Sequence, residues 1–378
     1  MLVETFTAFA GGVTLQYNES DKKHKGFKMK AMVLKEICEL ESRGTKQKNP
    51  DLPRKKNPLE MMDLPVPSPA FKELLVRVSV CGVCHTELDE IEGRLVPSKL
   101  PVVPGHQIVG KIEKTGPGSD KYSIGTRVGI AWIFSSCGKC KFCMGGNENL
   151  CKDFMATGLD ANGGYAQYIV VPEDFVYPVP DIFSDSQTAP LLCAGVIGYR
   201  ALRLTDINPG ETLGLYGFGA SAHIAIQIAK YWNCRVFVFS REAQGSHYDL
   251  AKELGADWIG TTRETPPKKM NRVIDFTPVG EPVIYAMRNL ERGGRVVINA
   301  IRKVNKIPPM DYTTDVWYEK ELKSVANVAR QDALEFLPLA AEIGIRPEVK
   351  EYELEEANMV LSMLKEGKVK GAAVLKIP

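Results

Sequence analysis

Four cysteines lie within fifteen residues of this chain, at Cys137, Cys140, Cys143 and Cys151. Thiolates this close together can bind one tetrahedral Zn²⁺, with Zn–S bonds of roughly 2.3 Å, and close its coordination shell. Lys139 and Lys141, between the cysteines, favour the thiolate form. The two-residue spacings indicate metal ligation, with a disulfide-linked loop or free thiols as the alternatives. We predict a structural zinc here.

A second group of soft ligands is spread along the chain. Cys84 lies in Cys-Gly-Val-Cys-His-Thr-Glu, His106 in Pro-Gly-His-Gln, and Cys193 in Leu-Cys-Ala-Gly. Each residue alone indicates little, because an isolated cysteine is usually a small buried apolar side chain. Together they form a Cys₂His set, which leaves the fourth position of a zinc ion open for water or substrate. We predict a catalytic zinc at these three residues.

A glycine-rich turn follows a short apolar run that we predict to be a strand. The turn reads Gly217-Phe-Gly219-Ala-Ser-Ala222 and opens a predicted helix. Gly217 permits the tight turn, Gly219 lets the backbone approach a pyrophosphate, and Ala222 allows close packing of helix on strand. Because this strand–turn–helix setting is typical of dinucleotide sites, we predict a nicotinamide cofactor.

The next predicted strand ends at Ser240-Arg241, where an NAD site usually places Asp or Glu against the ribose 2′-hydroxyl. A carboxylate would repel a 2′-phosphate, whereas a hydroxyl followed by a guanidinium can bind one through charge-assisted hydrogen bonds. We therefore favour NADP(H) over NAD(H). The alternative is that Arg241 is a solvent-facing charge and that either cofactor binds.

The chain contains two kinds of secondary-structure pattern, one in each part, and these predict two domains. Short β-like runs, at 74–80, 108–113, 127–132 and 165–171, are typical of an all-β barrel or sandwich. Past about residue 190, predicted strands (213–216, 236–239, 273–274, 295–299) alternate with predicted helices (220–232, 243–254, 283–290). Such alternation predicts a doubly wound parallel sheet, so the fold class is α/β.

The N-terminal segment, the net charge and the cysteines of the chain argue against several classes of function. We interpret residues 1–28 as a flexible extension and the basic stretch 43–58 as a solvated loop. The formal net charge of +2 and the lack of aromatics in that stretch argue against a nucleic-acid partner. No apolar run is long enough to span a bilayer, and no secretory leader is evident. Nine cysteines clustered in metal-like patterns fit a reducing cytoplasm.

These motifs, in this order, resemble a zinc-dependent alcohol dehydrogenase of the medium-chain dehydrogenase/reductase superfamily. The resemblance covers residues 29–378 and implies a β-rich GroES-like catalytic domain, at 29–187 and 329–378, that holds two zinc ions per chain. It also implies a Rossmann cofactor domain at 188–328, a C-terminal segment that returns to the first domain, and a homo-oligomer, either dimer or tetramer.

The resemblance also implies roles for side chains around the Cys₂His set. Thr86 would pass the substrate proton outward, His85 would lie near the cofactor pyrophosphate, and Trp132 would line a pocket for a small alcohol. Cys81 and Cys234 would be packing residues, and Cys38 has no assigned role.

Three residues depart from the family pattern. Gln107 replaces the usual Glu after the zinc histidine, which removes a negative charge near the metal and would leave the zinc more Lewis acidic. Glu87 replaces Asp and could still orient His106. Asp89 replaces a His found in many members, so the last step of the proton relay is open to a carboxylate or to water.

The resulting expectation is an enzyme that interconverts alcohols and aldehydes or ketones, with zinc lowering the pKa of the alcohol and a hydride passing to or from nicotinamide C4. The alternatives are a polyol or sugar dehydrogenase, or an aromatic-aldehyde reductase, of the same superfamily. A different class is a zinc-stabilised nucleotide sensor without turnover, which the open zinc position and Thr86 argue against.

Overall fold

The structure is a computed structural model that describes residues 26–42, 47, 49–241 and 244–378. Among these residues, no helix has both the length and the apolar composition needed to cross a membrane. Residues 1–25 of the predicted extension at 1–28 lie outside the described residues. Residues 43–46 and 48 of the basic stretch lie outside them as well.

The described strands, in chain order, are β1 (Lys28–Leu34), β2 (Glu39–Leu40), β3 (Arg54–Lys55), β4 (Leu59–Pro65), β5 (Glu73–Val83), β6 (Ile108–Thr115), β7 (Arg127–Ile130), β8 (Ile133–Ser135), β9 (Met155–Ala156), β10 (Tyr168–Pro172), β11 (Val176–Pro178), β12 (Thr212–Tyr216), β13 (Arg235–Ser240), β14 (Trp258–Thr261), β15 (Met270–Asp275), β16 (Leu290–Ile298), β17 (Glu321–Ser324), β18 (Val349–Glu353) and β19 (Ala372–Lys376). The α-helices are α1 (His85–Ile91), α2 (Lys141–Met144), α3 (Asp185–Pro190), α4 (Val196–Thr205), α5 (Ala220–Tyr231), α6 (Ser246–Glu253), α7 (Glu281–Arg288), α8 (Arg330–Ile343) and α9 (Ala357–Lys365).

The first sheet is β-rich and mostly antiparallel. Its order is β11-β7-β6-β5-β19-β18, and β10 also pairs with β5. The long strand β5 lies at its centre, and β19 runs antiparallel to it with Ala373 opposite Val83. The final stretch of the chain therefore returns to complete this sheet, as the resemblance implied.

The second sheet contains six parallel strands in the order β14-β13-β12-β15-β16-β17. Every residue of β12 is buried, as expected for a central strand of a sheet covered on both faces. The strand order reverses between β12 and β15, and ligands of such sheets bind at this point, beyond the carboxyl ends of the strands. The predicted doubly wound fold is confirmed.

Several predicted boundaries differ from the structure. The helix predicted to reach residue 290 ends at Arg288, because the carbonyl of Asn289 already accepts from the Met270 N–H and Leu290 begins β16. The helix predicted at 243–254 is described from Ser246, and residue 243 lies outside the described residues. Lys28 already pairs with Pro65, so the first strand begins one residue before the predicted domain start.

The chain passes between the two sheets twice. The first connection contains α3, a π-helical turn at Leu191–Gly195 and α4, and the second runs from β17 into α8. A Cβ atom at Gly195 would lie 2.4 Å from the ring of Phe336, so glycine lets α8 pack directly on the turn. The predicted boundaries at 187/188 and 328/329 fall in these connections and stay a prediction.

Candidate active site

Cys84, His106 and Cys193 meet between the two sheets. Cys84 follows β5 and caps α1, His106 precedes β6, and Cys193 lies in the π-helical turn. Their three ligand atoms all lie within 4.8 Å of one another. The Nε2 atom of His106 is 4.0 Å from Cys84 Sγ and 3.2 Å from Cys193 Sγ. The structure thus brings together the three residues that the sequence predicted.

These distances fit a tetrahedral zinc. With ordinary Zn–S and Zn–N bonds, a sulfur and a nitrogen on one ion lie about 3.6 Å apart, between the two values observed. The neighbouring Cys193 sulfur and burial raise the pKa of the Cys84 thiol well above its usual value. A cation bound among the three donor atoms would stabilise the thiolate form, and two sulfurs with one nitrogen suit zinc.

Glu87 holds two of the ligand residues through atoms that do not face the metal position. One carboxylate oxygen lies 2.6 Å from His106 Nδ1 and the other accepts from the Cys84 backbone N–H at 2.8 Å. Burial alone would lower the pKa of His106, but Glu87 and Cys84 hold it well above its usual range. Glu87 can therefore orient the ring despite being longer than the usual Asp, and the environment favours positive charge at this point.

Glu90 lies one turn further along α1 and is fully buried. Among the described residues, neither of its carboxylate oxygens has a hydrogen-bond partner. Burial, with the nearby Glu87 carboxylate, raises the pKa of Glu90 well above its usual value. The surroundings of Glu90 therefore disfavour a negative charge there, so Glu90 does not offset the charge that is absent at Gln107. The sequence argument missed this residue, although a Glu in the middle of a buried helix is a recognisable signal.

The Thr86 hydroxyl and the Trp132 ring lie beside the ligands. Thr86 Oγ1 is 3.3 Å from Cys84 Sγ, and the Trp132 ring meets His106 edge-on with centroids 5.1 Å apart. The roles implied for these two side chains by the resemblance stay predictions. Cys81 is fully buried and Cys234 nearly so, as expected for packing residues.

Asp89 is surrounded by arginines. Arg94 Nε lies 2.5 Å from Asp89 Oδ1, and Arg302 Nη2 reaches the same oxygen at 3.4 Å from the loop after β16. Two ion pairs therefore meet at this one oxygen of Asp89. His85, on the same helix, lies close enough for both arginines to help lower its pKa, after burial as the main cause. Arg302 was not predicted, because its contact depends on the approach of the two sheets.

The four-cysteine cluster (Cys137, Cys140, Cys143 and Cys151) forms a small lobe around α2. Two sulfur pairs, Cys137–Cys143 and Cys140–Cys143, lie 3.9 and 3.6 Å apart. Two sulfurs on a tetrahedral zinc lie about 3.8 Å apart, whereas a disulfide would need about 2.05 Å. The backbone N–H groups of Lys139 and Cys140 lower the pKa of Cys137 to about 6. None of the nine cysteines, all described, forms a disulfide.

The glycine-rich turn has the geometry that dinucleotide binding requires. Gly217 has φ +82°, and no atom of the described residues lies within 4 Å of the point where a Cβ on Gly219 would stand. Ala222 is fully buried in α5. Ser240 is the last residue of β13, and Arg241 follows it with an exposed side chain.

A second polar group lies across the switch point and was missed by the sequence argument. Asp275 ends β15, is fully buried, and accepts from the Thr277 N–H and hydroxyl and from Lys303 Nζ at 2.5 Å. Thr277 lies against Gly217, where an added Cβ would be 3.2 Å from its methyl group. An Asp at the carboxyl end of an apolar strand was the available signal.

The chain is similar to known proteins over most of its length. The alcohol dehydrogenase GroES-like domain matches residues 71–181. The chain is 42% identical over 330 residues to a Mycobacterium tuberculosis protein named probable alcohol dehydrogenase AdhA, covering 86% of this chain and 94% of that protein.

Two solved structures have the same fold. One is CAD from Helicobacter pylori complexed with NADP(H), with a TM-score of 0.78, 22% identity, and coverage of 93% of this chain and 98% of that one. The other is a cobalt- and zinc-bound thermostable alcohol dehydrogenase from Pyrobaculum aerophilum, with a TM-score of 0.78, 23% identity, and coverage of 92% and 99%.

The predicted fold class is confirmed by these matches, and the identity to a named alcohol dehydrogenase extends over most of both chains. The sensor alternative is not supported, because the relatives are enzymes. The chain belongs to the alcohol dehydrogenases of the medium-chain dehydrogenase/reductase superfamily and is an oxidoreductase that interconverts alcohols and aldehydes or ketones with a nicotinamide cofactor.

Proposed function

We propose that this enzyme transfers a hydride between small or aromatic alcohols and NADP, with zinc held by Cys84, His106 and Cys193. The observation that carries the proposal is the convergence of these three donor atoms in a set that leaves a fourth tetrahedral position for a substrate oxygen. A second zinc in the four-cysteine cluster makes two per chain. The edge-on Trp132 ring beside His106 favours a small or aromatic substrate over a polyol.

The protein's own residues supply binding, orientation and the proton path. Zinc at this site would polarise the oxygen of the alcohol or carbonyl group. Thr86, within contact of Cys84 Sγ, passes the substrate proton toward solvent. Glu87 holds the His106 ring in place through Nδ1, which fixes the tautomer that leaves Nε2 free for a metal.

The cofactor is positioned by the turn and by the strand end beside it. Gly217, Gly219 and Ala222 would leave the start of α5 open to the pyrophosphate, and His85, the first residue of α1, would bind near it. Ser240 and Arg241 then meet the adenosine ribose, and the exposed guanidinium supports binding of a 2′-phosphate.

Compartment and domain limits complete the proposal. We place the enzyme in the cytoplasm, because nine free cysteines suit a reducing compartment, and a disulfide in the natural protein would contradict this. The catalytic domain is proposed at 29–187 and 329–378, and the cofactor domain at 188–328.

The reaction and the cofactor preference can be measured together. Initial rates of reduction of aliphatic and aromatic aldehydes should be higher with NADPH than with NADH. Higher rates with NADH would keep the reaction and discard the cofactor preference. Absence of turnover with both, in zinc-loaded protein, would instead favour a polyol substrate.

The two metal sites should respond differently to loss of one cysteine. Cys193→Ala should lower the bound zinc from two to one per chain and abolish turnover while the fold remains. Cys140→Ala should lower the thermal unfolding temperature, because a closed zinc site contributes folding free energy. Cys234→Ala is the control, since this buried cysteine is in neither cluster and should leave both zinc ions bound. Two zinc ions in Cys193→Ala would refute the ligand assignment.

The role of Arg241 can be isolated with a matched arginine. Arg241→Ala should raise KM for NADP(H) by about tenfold or more, because a charge-assisted hydrogen bond is lost, and should change KM for NAD(H) little. Arg235→Ala, at the opposite end of β13 and also exposed, should affect neither cofactor. Equal increases for both cofactors in Arg241→Ala would show that Arg241 does not contact the 2′-phosphate.

The enzyme is proposed to be a homo-oligomer, either dimer or tetramer. β17 is an exposed edge strand that pairs on one side only in the described sheet. Leu322, within this strand, is 38% exposed, and Trp317, just before it, is 48% exposed. Such edges pair with other chains.

Light scattering should give at least a dimer mass for the unmodified chain. Leu322→Glu should reduce that mass, whereas Ile182→Glu, at an exposed apolar residue outside this edge, should leave it unchanged. A monomer mass for the unmodified chain would refute the proposal.

A further inference from the structure

The four-cysteine lobe is attached to the rest of the molecule through Asn149. This side chain is 7% exposed and lies in the short turn just before Cys151. Its Nδ2 donates to the Ala326 carbonyl at 2.6 Å, and its Oδ1 accepts from Arg200 Nη2 at 3.1 Å. Ala326 belongs to the second connection between the sheets, and Arg200 belongs to α4 at the end of the first. One amide therefore contacts both connections.

Ion pairs between buried carboxylates and arginines surround this attachment. Asp332, fully buried in the first turn of α8, accepts from Arg200 and from Arg203, each at 2.7 Å. Next to Asn149, Glu148 is 3% exposed and accepts from Arg330 Nε at 2.7 Å. Removing one partner from a buried pair leaves an uncompensated charge, so such networks hold their geometry firmly. The lobe, α4 and α8 are thus held as one unit.

Two features of the site depend on this unit. α4 continues directly from the turn that carries Cys193, and Arg200 lies about two helical turns beyond that ligand. The second connection carries the chain from the parallel sheet back to the first sheet, whose strand β5 precedes Cys84. The position of Cys193 relative to Cys84 and His106, and of the cofactor relative to all three, is therefore set by these connections. Hydride transfer is sensitive to errors of about 1 Å in such positions.

We propose that Asn149 is a positioning residue that couples the metal state of the four-cysteine cluster to the geometry of the three-ligand site. The inference rests on the proposed function, in which both clusters bind metal. The lobe contains one four-residue helix and a 3-10 turn, so a closed metal shell is what would make it rigid. A rigid lobe holds the Asn149 amide in place, and the amide holds both connections.

The test compares two asparagines of the same lobe. Asn149→Ala removes both hydrogen bonds, whereas Asn147→Ala removes one exposed bond to Gly145 within the lobe. In the full-length protein carrying two metals, we expect Asn149→Ala to speed metal release from the three-ligand site to a chelator by about tenfold. The visible absorption of Co²⁺ at that site should change, and KM for the cofactor should rise more than kcat falls. Asn147→Ala should match the unmodified protein in all three.

The cofactor measurement also separates the two bonds. Asn149→Asp keeps an acceptor for Arg200 but cannot donate to Ala326, so we expect near-normal metal release with a raised KM for the cofactor. This variant also serves if Asn149→Ala does not fold. Wild-type release, absorption and KM in Asn149→Ala, or wild-type KM in Asn149→Asp, would overturn the coupling. Failure of the unmodified protein to bind two metals would overturn the proposed function itself, and this inference with it.

Discussion

Two thiolate sulfurs and an imidazole nitrogen as close as those of Cys84, Cys193 and His106 are stabilised by a positive charge among them. The proximity of Cys193 and burial both raise the pKa of Cys84, and Glu87 keeps His106 in a state that favours positive charge. Much of the first sheet serves this arrangement. The end of β5 presents Cys84, the loop before β6 presents His106, and the π-helical turn brings Cys193 from the other side. The fold supplies the position, and a zinc ion bound as proposed would supply the charge.

The charges around the site are distributed so that one anion faces the ligands. Glu87 is hydrogen-bonded to two of them, while burial and Glu87 raise the pKa of Glu90, and Gln107 carries no charge. Asp89 is paired with arginines from both parts of the chain. Fewer negative charges beside the ligands means less electron donation toward a metal, which agrees with the stronger Lewis acidity expected from Gln107.

The sequence predicted features formed by residues close together in the chain better than contacts between residues far apart in it. The four cysteines, the glycine turn and Ser240-Arg241 are local patterns, and the structure places them as the spacing indicated. The Cys₂His set could be assembled across the chain because its members carry recognisable neighbours. Arg302 and Asn149 have no such pattern, because an arginine or asparagine in a loop is ordinary and its partner lies far away in sequence. The end of α7 was misplaced because the apolar pattern continues into β16, and pairing with β15 decided the boundary.

The pairing of β19 with β5 has a consequence for the synthesis of this protein. The strand β5, which Cys84 follows, obtains one neighbour from a segment that the ribosome makes after the whole parallel sheet. The parallel sheet is continuous in sequence, so it can form while the chain is still being made, whereas the side of β5 that pairs with β19 must wait for the last residues. Contacts of such sequence separation form late, and β5 exposes its unpaired edge until they do. The nascent chain therefore gains a cofactor-binding surface before it gains a complete reaction centre.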